Sequence, residues 1–168
     1  VLTSCHAIEL WDKKCGNAQN YYIKKCGKKK TTMFKRKIYS KMQEWKKNSN
    51  GKTALLIEGA RRIGKSTVVE EFAKNEYQSY LLIDFSIASK ETKELFEDVS
   101  DLNFLFLQLQ LQYKVDLQER NSVIIFDEVQ LCPAARQAIK ALVADHRYDY
   151  IETGSLISIK KNVKDILI

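Results

Sequence analysis

The apolar positions of the chain change period several times, and the changes mark out alternating helices and strands. Phe34, Ile38, Met42 and Trp45 recur at spacings of four, four and three. That places them on one helix face, with lysines and Arg36 on the others, and predicts a leading helix over 34–47. Asn48-Ser49-Asn50-Gly51 then reads as a turn. Thr53 to Glu58 is a short apolar run of the kind that forms a strand buried on both faces of a parallel sheet. Further strands are expected over 79–85, 121–126 and 149–153. Helices are expected over 66–75, 90–98, 102–113 and 133–144, the last opening on Pro133, whose fixed φ suits a first helical turn. Strands alternating with helices imply a parallel sheet covered on both faces, so the fold class is a three-layer α/β/α sandwich.

Composition adjusts this picture at the N-terminal end. The 168 residues carry a net charge of +7, but residues 1–50 hold +10 and residues 51–168 hold −3. The basic character therefore belongs to the leading segment. Residues 1–32 have lysine clusters, three of the four cysteines and no sustained period, and read as a basic N-terminal extension without regular structure. Patterning begins after Met33, which makes Met33 the expected natural initiator and 33–168 the folded domain. A lysine-rich arm can bind nucleic acid, with Trp11, Tyr21, Tyr22, Phe34 and Trp45 available to stack on bases; the favoured reading is a solvated tail. Cys5, Cys15, Cys26 and Cys132 form no C-x-x-C pair, and Cys5-His6 alone falls short of a zinc set. Free thiols suit a reducing cytosol. The greasiest stretch, 102–111, is interrupted by Asn103, Gln108 and Gln110, and Val1 to Trp11 lacks a signal-peptide pattern, so a cytoplasmic protein without a membrane span is expected.

Three motifs carry chemistry. The first is Gly59-Ala60-Arg61-Arg62-Ile63-Gly64-Lys65-Ser66, a full G-x-x-x-x-G-K-[ST] match between a predicted strand and a predicted helix. Glycines let backbone N–H groups curl round an anion, the helix start adds unpaired N–H groups, and Lys65 reaches the β- and γ-phosphates. Thr67 follows on the first helical turn, and the Ser66 hydroxyl is of the kind that ligates Mg²⁺. The second is Val123-Ile124-Ile125-Phe126-Asp127-Glu128, a buried strand ending in two carboxylates 62 residues after Lys65. Ligands bind at that end of open α/β sheets. Asp127 is the expected metal residue and Glu128 the expected general base for an attacking water. The third is Thr153-Gly154-Ser155, whose hydroxyls are candidates for sensing the γ-phosphate or its water. Strand-end Thr and Ser also serve simply as turn formers.

Together, Gly59–Ser66, Asp127–Glu128 and Thr153–Ser155 resemble the AAA-type branch of P-loop ATPases that carry a catalytic glutamate. The wording Glu58 to Thr67, Phe126-Asp127-Glu128-Val129-Gln130 and Glu152-Thr153-Gly154-Ser155 is similar to a prokaryotic AAA-like ATP-binding family whose members often carry a C-terminal domain of unknown function. The resemblance covers roughly residue 35 to the end. It implies ATP and Mg²⁺ as ligands, the strand of Gly59 beside that of Thr153, and the latter beside that of Asp127. In such families a fifth strand then flanks the first, followed by a helical lid. The stretch after Thr153 is too short for these, so a core incomplete at its C-terminus is expected, with Thr53 to Glu58 as an apolar edge prone to association. Expected partners are ATP, a lid or effector domain and a second copy. No arginine finger is assignable; Arg61, Arg62, Arg136 and Arg147 are candidates by default, the last two reading as solvated charges. Lys37 and Tyr39 are candidates for an adenine pocket.

The functions left open are an ATPase driving conformational change in a larger assembly, a nucleotide-binding switch with negligible turnover, and a nucleic-acid binder acting through lysines 13–47. A GTPase is disfavoured by the lack of an N-K-x-D motif, a transporter ATPase by the lack of an L-S-G-G-Q-like signature. A small-molecule kinase has no use for an acid directly after the metal Asp.

Overall fold

The computed structural model describes residues 37–155. The expectations for residues 1–32, for the Cys5-His6 pair and for Phe34 lie outside the described residues. Four strands, β1 (Leu55–Gly59), β2 (Ser79–Asp84), β3 (Ser122–Asp127) and β4 (Asp149–Ser155), form one parallel sheet in the order β1-β4-β3-β2. β3 and β4 are the central strands and are buried throughout; β3 is apolar from Val123 to Phe126, whereas β4 takes Asp149, Glu152, Thr153 and Ser155 into the interior. Among the described residues β1 and β2 are the edges.

Helices α1 (Lys37–Ser49) and α2 (Lys65–Glu76) cover one face of the sheet, and α3 (Lys90–Glu94), α4 (Leu102–Tyr113) and α5 (Pro133–Ala144) the other. The α1 stripe works as its spacing requires. Met42 is fully buried against Val69, Phe72 and Ile57, with Ile38 and Trp45 packed around it. A side chain of that size contributes about 1.5–3 kcal/mol by leaving water. Trp45 packs at the margin of this apolar layer, as its place on the helix stripe predicts, and donates from Nε1 to Thr53 Oγ1. On the other face Phe96 meets Phe85 and Phe126 edge-on, those two rings lie tilted against each other, and Tyr150 stands beside Phe126.

The strands and α2 shift by one or two residues from expectation, β1 starting at Leu55 rather than Thr53 and β4 running on to Ser155, and three further departures have a physical reason. α1 runs on through Asn48 and Ser49, because the Ser49 hydroxyl holds the Thr53 backbone and stabilises the exit turn. Asn50 and Gly51 then take positive φ; at Gly51 a Cβ would strike the Arg120 guanidinium. α3 stops at Glu94 rather than Asp98, its continuation tightening into turns that bring Phe96 down onto Phe85 and Phe126. A 3-10 turn, Val129–Leu131, lies between β3 and α5, where the sequence offered no signal.

The N-terminal ends of the strands are tied by polar contacts. Tyr77 Oη donates to Asp149 Oδ2 at 2.7 Å, and Arg120 pairs with the other oxygen of Asp149 at 3.2 Å. Ser79 and Ser122 share a 2.7 Å hydroxyl bond, and Asn121 donates to Gln78. Burial, then the bond to Asp149, pushes the Tyr77 phenol far above its usual range, so it remains a donor. Arg147 sits just before β4, bonded to Asp145 and Asn103 and lying over Phe106. No described helix is long and apolar enough to cross a membrane.

Candidate nucleotide site

The opposite, C-terminal ends of β1, β3 and β4 gather the three motifs. β1 ends at Gly59, and the loop 60–64 carries the chain to Lys65, the first residue of α2. Gly64 has φ +79° and gives α2 no side-chain cap. The left-handed turn is one that glycine takes without steric cost, and it leaves the first-turn N–H groups of Lys65, Ser66 and Thr67 without a capping acceptor. Such N–H groups, at the positive end of the helix, favour an anion. Arg62 also has positive φ, and Ala60, Arg61, Arg62 and Ile63 are exposed along the loop. Thr67 is exposed on the first turn.

Lys65 is only 7% exposed, and its Nζ donates to the carbonyls of Gly59 at 3.3 Å and Ala60 at 3.0 Å. An ammonium has three donors, so one remains beyond these two bonds. Ser66 Oγ donates to Asp127 Oδ1 at 2.9 Å, which joins the phosphate loop to the end of β3 across 61 residues of sequence. The Thr153 hydroxyl donates to the same Asp127 oxygen and accepts from the Glu128 backbone N–H at 3.4 Å. Asp127, Thr153 and Lys65 are all buried.

The two hydroxyls of the third motif part company. Thr153 faces Asp127 and Glu128, whereas Ser155 pairs in register with Gly59 at the root of the loop. Of the adenine-pocket candidates, Tyr39 is held away from the phosphate loop. Tyr39 donates to Glu76 and packs edge-on against Phe72, at the far end of α2 from Lys65, and Lys37 is exposed at the start of α1. Arg147 is held at the opposite end of the strands. Arg136 is not a solvated charge: it lies half-buried on α5 with Nη1 buried and unpaired. Its charge acts on Glu152, a β4 residue 5% exposed with an unpaired Oε1. Burial holds the Glu152 carboxyl above the usual carboxylate range and the Arg136 charge opposes that.

Sequence reasoning missed three features: the left-handed Glu128, the Gln130 side chain turned onto it, and the buried Glu152. Glu128 has φ +51°, and Gln130 Nε2 donates to its Oε2. The signal for Gln130 was its place two residues after Glu128, but nothing in the pattern told a buried amide from an exposed one.

The fit of Mg²⁺ rests on the donor set. Hard hydroxyl and carboxylate oxygens stand together in Ser66 and Asp127, and Mg²⁺ takes few protein ligands, leaving room for waters and substrate phosphate. Thr153 bears on the integrity of this set. Thr153→Val keeps the shape and removes the hydroxyl, leaving Asp127 and the Glu128 N–H short of a partner. It is expected to destabilise the fold by about 1–3 kcal/mol, read as a lower urea midpoint with unchanged m.

The model of the family described as AAA domain matches residues 51–167. No curated protein matches the chain in sequence. Among solved structures, a Walker-type ATPase of Pyrococcus abyssi is 21% identical, with 73% of this chain and 45% of that one covered and a TM-score of 0.44. The chain spans less than half the length of that protein.

Proposed function

The chain belongs to the AAA domain family, and on that premise we propose that it binds Mg-ATP and hydrolyses the β–γ phosphoanhydride to drive a conformational change in a larger protein or assembly. One observation carries the reading: the Ser66 and Thr153 hydroxyls converge on one oxygen of Asp127 beside the Lys65 ammonium. The loop 59–66 cradles the phosphates through backbone N–H groups, and the free donor of Lys65 turns to the β- and γ-oxygens. Ser66 and Asp127 would hold Mg²⁺, which when bound neutralises charge on the phosphate oxygens. Glu128 accepts the proton of the attacking water. Thr153 fixes both carboxyl residues of the β3 end, one through its side chain and one through its backbone. Transfer of a phosphoryl group is mostly positioning and charge stabilisation, so an arginine supplied from outside the site raises the rate by about 10³–10⁵ where one is used. Arg61 and Arg62, exposed on the loop, are the residues placed to meet a partner there.

The test is calorimetric titration of the folded chain with ATP in the presence and absence of Mg²⁺. Saturable binding that Mg²⁺ strengthens is the expected result. No heat of binding from a chain with a cooperative melting transition would reduce the reading to a statement of fold.

A further inference from the structure

The Glu128 side chain is held in a way its own backbone does not explain. A non-glycine residue with φ +51° and ψ +46° is in the left-handed region, which costs an ordinary side chain about 1–2 kcal/mol. Glu128 does not recover this by capping the 3-10 turn that follows, for it makes no side-chain cap bond there. Instead its N–H reaches Thr153 Oγ1, its carbonyl accepts from Leu131 N at 2.9 Å, and its carboxylate accepts from Gln130 Nε2. Gln130 is 7% exposed, buried behind the carboxylate it contacts. The amide orientation is fixed by chemistry: a carboxylate has no proton to give, so the NH₂ end of Gln130 must face it. An apolar residue of similar volume would satisfy packing at this position without meeting the desolvation cost of an amide.

We infer that Gln130 is a positioning residue for Glu128, an amide strut that aims one carboxylate oxygen so that the other is presented to the attacking water. The inference rests on the reading of Glu128 as general base, and deepens it. Backbone and amide act together. The left-handed turn swings the Glu128 side chain back over the end of β3, and Gln130, two residues on, closes the loop over it. The carboxylate is then aimed before substrate arrives, and its rotamer freedom is already lost.

The experiment compares the wild-type chain with Gln130→Met, which keeps length and volume but has no donor, and Gln130→Glu, which sets a second carboxylate against the first. Single-turnover ATP hydrolysis, Mg-ATP affinity and the melting transition are measured on each. Gln130→Met is expected to lower kcat by about 10- to 100-fold, a share of the 10²–10⁴ ascribed to a general base, with ATP affinity unchanged. Gln130→Glu is expected to lower kcat at least as far, since it replaces the donor with a like charge that pushes the Glu128 carboxylate away. A role in packing alone would change stability and leave kcat where it was. Unchanged kcat in Gln130→Met overturns the inference. A second measurement stands apart from turnover: the side-chain amide resonance of Gln130 should shift in Glu128→Ala, which removes its acceptor. If the wild type hydrolyses nothing, the reading of Glu128 as base fails, and the resonance still decides the contact. An amide signal unchanged in Glu128→Ala overturns the strut.

Discussion

Replacing Lys65 with alanine is expected to weaken Mg-ATP binding by on the order of 10²-fold while the protein remains folded. Lys65 is the one buried lysine among the described residues, and its ammonium spans the mouth of the loop on the Gly59 and Ala60 carbonyls. A hydrogen bond to a charged group contributes about 1.5–3 kcal/mol, and each 1.4 kcal/mol is tenfold in affinity. A single lost bond to phosphate therefore accounts for most of the effect, and a second bond for more. The loop has other means to hold its shape: the Gly64 turn and the Val68 N–H to Gly64 carbonyl bond remain in the variant. Calorimetry reports the affinity, and circular dichroism with a melting curve reports the fold. Equal affinity in the variant would remove Lys65 from the phosphate site.

The second large effect belongs to Glu128. Glu128→Gln keeps the volume and a carbonyl oxygen for the Gln130 amide but cannot take a proton. Single-turnover phosphate release should fall by about 10²–10⁴ with ATP affinity unchanged, the range expected for losing a general base. The pairing of outcomes separates the readings the sequence left open. A wild type that turns over and a variant that does not make the protein an ATPase with Glu128 at its centre. A wild type that binds ATP and releases no phosphate, with Glu128→Gln indistinguishable from it, makes the protein a nucleotide-binding switch.

The parts of this architecture that the sequence made legible share a property: each is dictated by local backbone chemistry. Gly59 and Gly64 at fixed spacing force a loop between strand and helix. Val123 to Phe126 has no polar position and so demands cover on both faces, and it receives cover on both. α4 and α5 begin and end where the sequence places them, because Asp101 caps the first turn of one and Pro133 opens the other. The strand order β1-β4-β3 came from resemblance and not from pattern, since periodicity carries no information about which strands are neighbours. What was illegible depends on tertiary partners. Tyr39 follows Ile38 of the apolar stripe by one residue, and only the packing of α1 on α2 shows that it meets Glu76 and Phe72. Glu152 stands in a strand otherwise suited to burial, yet nothing local says that a carboxyl would be enclosed there opposite Arg136. Glu128 takes a left-handed conformation usually left to glycine or asparagine, so no turn signal marked it. Of the candidate site, the residues were readable and their bonds were not: that Thr153 would serve Asp127 and Glu128 while Ser155 stood beside Gly59 required the register of β4.

The polar ties at the strand beginnings have a mechanical consequence. Tyr77, Asp149 and Arg120 clamp the root of β4 to the end of α2 and to the loop before β3, while Ser79 with Ser122 fastens β2 to β3 at the same level. The motifs occupy the other ends of the same strands, where the chain leaves the sheet in loops. The sheet is therefore built as a cantilever, fixed at one end and loaded at the other. A displacement at Gly64 or Glu128 meets least resistance in the loops and in α2 pivoting about its Tyr77 end, because the strand roots are tied to one another there.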